Sequence, residues 1–147
     1  MRVTMKGDYG LRAMIDLAAQ YGRGPVPSAE IAARQHVPEH FLDQLLITLR
    51  RAGLLKSQRG PQGGHMLARP PAQITMLDVI RALEGKAAPM DPLPHLESRP
   101  VAASLALHEV WARVEEYAVS LLAATTLEQL AERHRASAEA AEAMYYI

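Results

Sequence analysis

The sequence has no cysteine among its 147 residues, which excludes disulfide bonds, thiolate metal sites and redox sensing by thiols. No apolar run approaches the roughly 18 residues that would be needed to span a membrane. The opening residues, MRVTMK, lack the apolar core of a secretory leader, so we expect a cytoplasmic protein. What the chain does have is 49% apolar residues, enough for the core of one domain with or without an appendage.

The net charge of zero hides an uneven distribution of charged residues. Residues 1–70 contain ten Lys and Arg against five Asp and Glu, whereas residues 71–147 contain six against eleven. A basic half joined to an acidic half predicts that only the first half meets a polyanion. With so few charges, chance is the alternative explanation of the same pattern.

Three helices are predicted in the basic half. Thr4 caps the first helix, and Ser28 is the expected N-cap of a short second helix that ends near Gln35. Proline suits the first position of a helix, so the third helix begins near Pro38, and Gly53 ends it. This third helix has an apolar stripe at helical spacing, formed by Phe41, Leu42, Leu45, Leu46 and Leu49.

A short helix followed across a tight turn by another helix predicts a helix-turn-helix motif. Polar residues near the N-terminal end of the second helix of such a motif are those that a recognition helix presents to base edges. Here the face opposite the apolar stripe consists of Glu39, His40, Asp43, Gln44, Ile47 and Arg51. A helical pair with a merely solvated face is the alternative.

Two strand-like segments, Leu54–Gln58 and His65–Ala68, flank the glycine-rich sequence Arg59–Gly64. This tip suits either a phosphate cradle for a nucleotide or a hairpin that touches a polyanion. A nucleotide loop leads into a helix and carries Gly-Lys-Ser/Thr, and neither feature occurs here. The segment therefore predicts a wing, in which Arg59 contacts a minor groove or a phosphate and the glycines allow close approach. A surface hairpin with one solvated arginine is the alternative.

The acidic half is predicted to be helical around a proline-rich loop. Thr75 and Asp78 form a capping-box pattern for a helix that ends at Gly85, and the loop follows up to residue 104. A last helix is expected after a second cap, which pairs Thr125 or Thr126 with Glu128 or Gln129.

A long helix over Leu105–Leu122 carries an apolar seam with heptad spacing. Such a seam packs either into the chain's own core or against a second copy. A helix roughly 27 Å long at 1.5 Å per residue, standing after a proline loop, requires another surface. We therefore expect a dimer interface formed by Leu107, Trp111, Val114, Ala118 and Leu121.

Several short segments along the chain form a specific combination, and the wing tip after the helix pair is its most diagnostic part. They are MRVTMKGDYG at the N-terminus, Ala13-Met14, Gly24–Pro27, Ile31-Ala32, Phe41–Leu45, Leu49–Leu54, Arg59–Gly64, Asp78–Ile80 and, more weakly, Leu107–Trp111. With these segments the chain resembles the iron–sulfur cluster regulator (IscR-like, Rrf-type) family of bacterial winged-helix transcription factors. The resemblance covers most of the chain.

The resemblance implies a homodimer on a roughly palindromic operator, with recognition helices in adjacent major grooves and wings in flanking minor grooves. It places the N-terminal segment close to phosphate and makes Asp43 and Gln44 readers of bases. Asp43 stands where a glutamate is common and His40 where a small polar residue is usual, so the sequence does not define the preferred operator. The predicted DNA-binding residues are Arg2, Thr4, Lys6, Tyr9, Ser28, Glu39, His40, Asp43, Gln44, Arg50, Arg51, Arg59, Gly60, Gly63 and Gly64.

In cluster-binding relatives the proline-rich loop holds three cysteines, often completed by a histidine. This chain has none of the cysteines, and His108 alone stands where that histidine lies. Iron–sulfur centres need mostly thiolate ligands, so the sequence predicts no cluster and no other cofactor. His95 and His108 are weak candidates for zinc, because their spacing matches no compact motif.

The predicted fold is mostly α with a small β wing: a winged helix-turn-helix DNA-binding domain at 1–85, a proline-rich loop at 86–104, and a dimerisation helix with a C-terminal helix at 105–147. No GxSxG, HExxH or nucleotide loop in context occurs, so no enzyme is predicted. The predicted function is a homodimeric, sequence-specific transcriptional regulator, a repressor, that binds a double-stranded operator without a cluster. Two alternatives stay open: an interaction protein that docks to a partner enzyme, and a regulator responsive to a small molecule or a metal.

Overall fold

The computed structural model describes residues 4–85 and 101–145. These residues are mostly helical with one two-stranded antiparallel sheet, as the sequence predicts. The elements are, in chain order, α1 (Met5–Ala19), α2 (Ser28–Gln35), α3 (Glu39–Arg51), β1 (Leu55–Gln58), β2 (Gly64–Leu67), a short 3₁₀ turn (Pro71–Gln73), α4 (Met76–Glu84), α5 (Ala102–Ala124) and α6 (Leu127–Tyr145).

The helices α1 to α4 pack around one apolar core. The predicted stripe of α3 lies at its centre: four of its five leucine and phenylalanine positions are buried, and Phe41 is partly buried against the same cluster. The other large side chains with no more than 2% exposure are Met14, Leu17, Ile31, Ile74, Val79 and Leu127. The apolar periodicity of the sequence therefore selects the correct face of α3.

Most of the predicted helix ends are confirmed. Thr4 is the N-cap of α1, and its hydroxyl accepts from the amide of Gly7 at 3.0 Å. Gly53 ends α3 in the left-handed conformation, with its amide bonded to the carbonyl of Arg50 and the next amide bonded to that of Leu49. This pair of bonds is a Schellman motif, which satisfies carbonyls that the end of the helix leaves free.

Two predicted helix starts differ from the structure by one residue. Ser28 was expected as the N-cap of α2, but it is the first helical residue, and the carbonyl of Pro27 accepts the first helical bonds. The Ser28 side chain makes no capping bond because the fixed φ of Pro27 already sets the extended conformation of an N-cap. Pro38 was expected as the first residue of α3, but it is the N-cap, so the helix begins one residue later, at Glu39.

The strands form the predicted wing. Leu55 pairs with Leu67 and Gln58 with Gly64, so that the hairpin tip spans residues 59–63. The second strand also pairs on its other edge, where His65 exchanges backbone hydrogen bonds of 2.8 and 2.9 Å with Val26. The base of the wing is therefore anchored both to its own partner strand and to the segment before α2.

The helices α4 and α6 begin at the predicted caps, whereas α5 begins at Ala102, three residues before the predicted start, and ends at Ala124, two residues after the predicted end. Thr75 and Asp78 form a complete capping box at α4, and Thr126 and Gln129 form the reciprocal pair of bonds at α6. The first turns of α6 return to the core, where Leu127 is fully buried and donates its amide to the carbonyl of Ile74. The division of the chain into three predicted units stays a prediction, and α6 packs mainly against α1.

Candidate nucleic-acid interface

The predicted reading face of α3 is accessible. Glu39, His40 and Gln44 are exposed on the first two turns, and Asp43 is half-buried beside them. The opposite face is anchored in the core by Leu42, Leu45, Leu46 and Leu49, which are between 0 and 3% exposed. A rigidly seated helix that presents polar side chains at its N-terminal end has the geometry that major-groove readout requires.

The turn that precedes α3 has an unusual backbone conformation. His36 ends α2 with φ +53°, the only non-glycine residue with positive φ among residues 4–85 and 101–145. The amide of Val37 then bonds to the carbonyl of Ala32 at 3.0 Å. This left-handed residue turns the chain sharply, so that the turn between the end of α2 at Gln35 and the start of α3 at Glu39 is short.

An ion pair between a buried carboxylate and a partly exposed guanidinium joins α2 to α1. Asp16 is 3% exposed and accepts two hydrogen bonds from the Arg34 guanidinium, at 2.8 and 2.9 Å, and one from Gln35 at 3.1 Å. The hydrogen bond to Asp16 raises the pKa of Arg34. Charge-assisted bonds of this kind are among the stronger polar contacts, and they orient the first helix of the motif.

The wing tip presents its arginine to solvent. Arg59 is exposed, and Gly60 follows it with φ +111°, a conformation that favours glycine. The amide of Gly63 closes the turn on the carbonyl of Gly60 at 3.0 Å. Arg59 is therefore accessible to a phosphate or a minor groove, and its contact with DNA stays a prediction.

The glycines at 63 and 64 have a role within the chain itself. A Cβ added at Gly63 would collide with the carbonyl oxygen of Gln58, and one at Gly64 would collide with the backbone of Val26. Neighbouring backbone lies too close to these two positions for a side chain to fit. Contact with DNA is therefore not needed to explain why they are glycines. Their place among the DNA-binding residues stays a prediction.

Two other predicted contacts are engaged inside the chain. The hydroxyl of Thr4 caps α1 and also donates to the carboxylate of Glu84. The ring of Tyr9 is half-buried, packs edge-to-face on Phe41 with centroids 5.7 Å apart, and lies under the guanidinium of Arg12. Tyr9 thus packs against α3 through Phe41.

The remaining predicted DNA-binding residues are spread over the helix ends. Lys6 is exposed on the first turn of α1, Ser28 is half-buried at the start of α2, and Arg50 and Arg51 are exposed at the end of α3. Arg2 lies outside the described residues.

The structure reveals one residue of this region that the sequence pattern does not identify. His65, on β2, shares a hydrogen bond of 3.1 Å between its Nδ1 and the Oγ of Ser57 on β1. Burial lowers its pKa, with Asp43 of α3 acting in the opposite direction and Arg50 of α3 in the same direction. A lone histidine at the start of a short strand carries no sequence signal that distinguishes this position.

The predicted dimer helix leaves its apolar side chains uncovered in the single chain. No residue of α5 is buried over its 23 residues. Of the predicted seam, only Ala118 is half-buried, toward the body of the chain. Two apolar residues missed by the prediction, Val110 and Tyr117, are exposed beside Leu107, Trp111, Val114 and Leu121. Together, Leu107, Val110, Val114, Tyr117 and Leu121 follow a heptad spacing, and we call them the α5 stripe.

Only one of the two weak metal candidates lies in the part of the chain that the structure describes. His108 is exposed on α5, and His95 lies outside the described residues. Within residues 4–85 and 101–145, no three His, Asp or Glu side chains are grouped so that they could hold a metal ion. In the same part of the chain, no helix combines the length and the apolarity that crossing a membrane would require.

A winged helix-turn-helix whose recognition helix and wing are both accessible defines a DNA-binding transcriptional regulator. The comparison with protein families agrees: residues 3–133 match the model of the Rrf2 family, described as an iron-dependent transcriptional regulator. The chain therefore belongs to the Rrf2 family of HTH-type transcriptional regulators, which confirms the resemblance seen in the sequence, and it is not an enzyme.

Individual relatives cover nearly the whole chain. The HTH-type transcriptional regulator CymR of Bacillus subtilis is 41% identical over 147 residues, all of both chains. The regulator IscR of Xenorhabdus nematophila is 35% identical over 130 residues, 88% of this chain and 79% of the relative.

Two of the solved structures that resemble this chain carry the same two names. The structure of CymR from B. subtilis, called the global cysteine regulator, aligns with a TM-score of 0.78 at 41% identity and covers 90% of this chain and 98% of its own. That of IscR from T. potens aligns with a TM-score of 0.74 at 37% identity, covering 91% and 88%. The fold is thus shared with both of these regulators.

Proposed function

We propose that this chain is a homodimeric, sequence-specific DNA-binding repressor that works without an iron–sulfur cluster. The observation that carries the proposal is the accessible reading face of α3, followed directly by a wing whose tip arginine is free. Asp43 and Gln44 would read base edges in the major groove, and Arg59 would enter the flanking minor groove or bind its phosphates. Arg50, Arg51 and Lys6 would bind phosphate and position the protein without selecting sequence.

The α5 stripe supports the homodimer. Its side chains keep between 39 and 72% of their surface exposed in the single chain, which leaves a row of apolar groups in contact with water. Contiguous exposed apolar surface of this kind marks a site of association, and a heptad-spaced stripe fits a second copy of the same helix. A two-fold dimer would present two α3 helices to the two halves of a palindrome.

The proposal that the protein works without an iron–sulfur cluster rests on the metal ligands that the chain can supply. The family description implies iron, yet the sequence has no cysteine to supply thiolate ligands, and His108 is a single exposed imidazole. Iron–sulfur clusters depend on thiolates for most of their coordination. These residues do not fit a cluster, and we expect the same DNA affinity with and without oxygen.

The test is a binding titration with duplex DNA at several salt concentrations. The parent should bind random duplex with an affinity that falls steeply with salt, because phosphate contacts release counterions. Arg59→Ala should weaken binding to a selected duplex by at least about 1 kcal/mol while the fold is unchanged. If the protein shows no salt-dependent binding to any duplex, the DNA-binding proposal fails, and a role in docking to another protein takes its place.

Repression is tested separately with a promoter that contains a duplex selected by the protein. Bound protein should reduce transcription from it, since a dimer across the site excludes polymerase. An increase in transcription would contradict repression while leaving DNA binding intact.

A further inference from the structure

Ile47 is an apolar residue in the middle of the polar face of α3. The four leucines of this helix are buried and form one stripe along it. At about 3.6 residues per turn, Ile47 lies roughly 150° around the helix axis from the middle of that stripe. His40, Gln44 and Arg51, all exposed, lie on the same side of the helix. Ile47 is therefore directed away from the core, toward the surface on which base readers are predicted.

The apolar core of the described residues does not account for Ile47. The partly buried apolar side chains that pack against the core cluster include Phe41 of the same helix, and Ile47 is not one of them. Residues four positions apart are neighbours on a helix surface, so Ile47 is flanked by Asp43 and Arg51, one turn away on either side. The half-buried isoleucine is thus an apolar group surrounded by polar ones.

The position of Ile47 matches the spacing of base readers on a recognition helix. A homeodomain recognition helix contacts the major groove through four side chains that are spaced over about two helical turns. The same spacing occurs here in His40, Asp43, Gln44 and Ile47. A single apolar residue elsewhere on a protein surface needs no explanation, whereas this one completes a set whose other three members are predicted DNA contacts.

An isoleucine side chain can recognise one feature of a base pair. It has no hydrogen-bond donor or acceptor, so it cannot distinguish the polar groups of a base edge. Among the groups that the four bases expose in the major groove, the C5 methyl of thymine is the apolar one. Contact between this methyl and Ile47 would remove two apolar surfaces from water, which is favourable. The chemistry of Ile47 therefore favours thymine.

We propose that Ile47 is a specificity-determining residue of the reading face, which selects thymine by packing against its C5 methyl group. The inference rests on the proposed DNA-binding function. Ile47 lies one turn after Asp43, about 6 Å along the helix axis at about 1.5 Å per residue. Base pairs are about 3.4 Å apart, so the selected thymine should lie within roughly two base pairs of the base that Asp43 contacts.

The test uses a duplex selected by the parent, in which single thymines of the half-sites are replaced by deoxyuridine. This replacement removes the C5 methyl and keeps every hydrogen-bonding group of the base. At the thymine that Ile47 contacts, the parent should lose about fourfold in affinity, the value for burying one methyl group. Ile47→Ala should lose less than about twofold there, because the variant and the replacement remove the same contact. Ile47→Val retains the branched carbon and should keep most of the parental response.

Val101→Ala is the matched control, because it also shortens an apolar side chain but lies before α5, 67% exposed and outside α3 and the wing. It should show the full fourfold response. The proposal is overturned if the parent responds at no thymine of the half-sites. It is also overturned if Ile47→Ala responds as strongly as the parent, whether or not its melting temperature falls. In both cases DNA binding stands. If the parent enriches no duplex, the proposed function and this inference fall together.

Discussion

The helices α1 to α4 and the helix α5 place their apolar side chains in opposite environments. Met14, Ile31, Leu42 and Leu49 are fully buried in the first group, whereas α5 has no buried residue and leaves Leu107, Leu121 and their neighbours in solvent. The apolar side chains of α1 to α4 are therefore covered within the single chain. The α5 stripe, on a helix of 23 residues, is not covered by any other described part of the single chain, and such a surface marks a site of association.

The helix α6 combines the two environments, because one part of it is buried in the core and the other part is exposed. Its first turns are buried against α1 through Leu127 and Ala131, and from Glu132 onward every described residue is exposed. The stability of the winged-helix half should thus depend on a segment distant from it in sequence, whereas assembly should depend on α5.

The largest effect is expected at Leu127. Replacing this fully buried side chain with alanine removes apolar contacts and leaves a cavity, so the free energy of unfolding should fall by about 2 to 5 kcal/mol. Leu105→Ala on α5, where the side chain is 49% exposed, should cost less than about 1 kcal/mol. Urea unfolding of both variants measures the difference, and equal costs would show that α6 is not part of the core.

The next effect concerns assembly. Val114→Asp puts a carboxylate in the middle of the α5 stripe, where a dimer would have to bury it without a partner. The dissociation constant of the dimer should rise at least about a hundredfold, since an unpaired buried charge costs several kcal/mol. Sedimentation equilibrium gives the masses. Ser120→Asp is the control, because Ser120 is exposed on the same helix and is not part of the α5 stripe. A monomeric parent, or a dimeric Val114→Asp, would refute this interface.

A smaller loss of stability is expected from the link between α1 and α2. Asp16→Ala removes the acceptor of three hydrogen bonds and leaves the Arg34 guanidinium, itself 41% exposed, to be solvated by water. Because Arg34 can reach solvent, we expect a loss of about 1 to 3 kcal/mol, the range for hydrogen bonds to charged groups. Asp8→Ala, which removes only an exposed i,i+4 pair, should cost less than about 0.5 kcal/mol.

The smallest effect is a pH dependence from His65. Burial lowers its pKa in the folded state, so the unfolded chain takes up a proton at a higher pH than the folded one. Relative to His65→Asn, the parent should lose stability as the pH falls below about 6.5, the ordinary pKa of histidine, and show no pH-dependent difference above it. Urea unfolding of both proteins at pH 7.5 and 5.5 tests this, and a parent that gains stability at the lower pH would contradict it.

Local signals in the sequence predict much of this fold. The capping boxes at Thr75 and Thr126, the left-handed glycine at Gly53 and the apolar stripe of α3 all depend on residues a few positions apart. The helices and the wing follow from such signals because hydrogen-bonding and burial periods are fixed by local geometry.

What the sequence does not predict depends on contacts between distant residues. The bond from Thr4 to Glu84, the packing of Tyr9 on Phe41 and the return of α6 to the core each join segments that no spacing rule connects. His65 is missed for the same reason, because its bonds to Ser57 and Val26 form only once the wing is folded.

The central claim is that α3 reads sequence, and enrichment of duplexes from a random pool tests it most directly. The parent should enrich a consensus with two related half-sites, one for each α3 of a dimer. Asp43→Ala should lose preference at particular base pairs of each half-site and keep the others, because base contacts specify while phosphate contacts only position. Enrichment of no consensus by the parent, or of an identical consensus by Asp43→Ala, would contradict this account of the reading face.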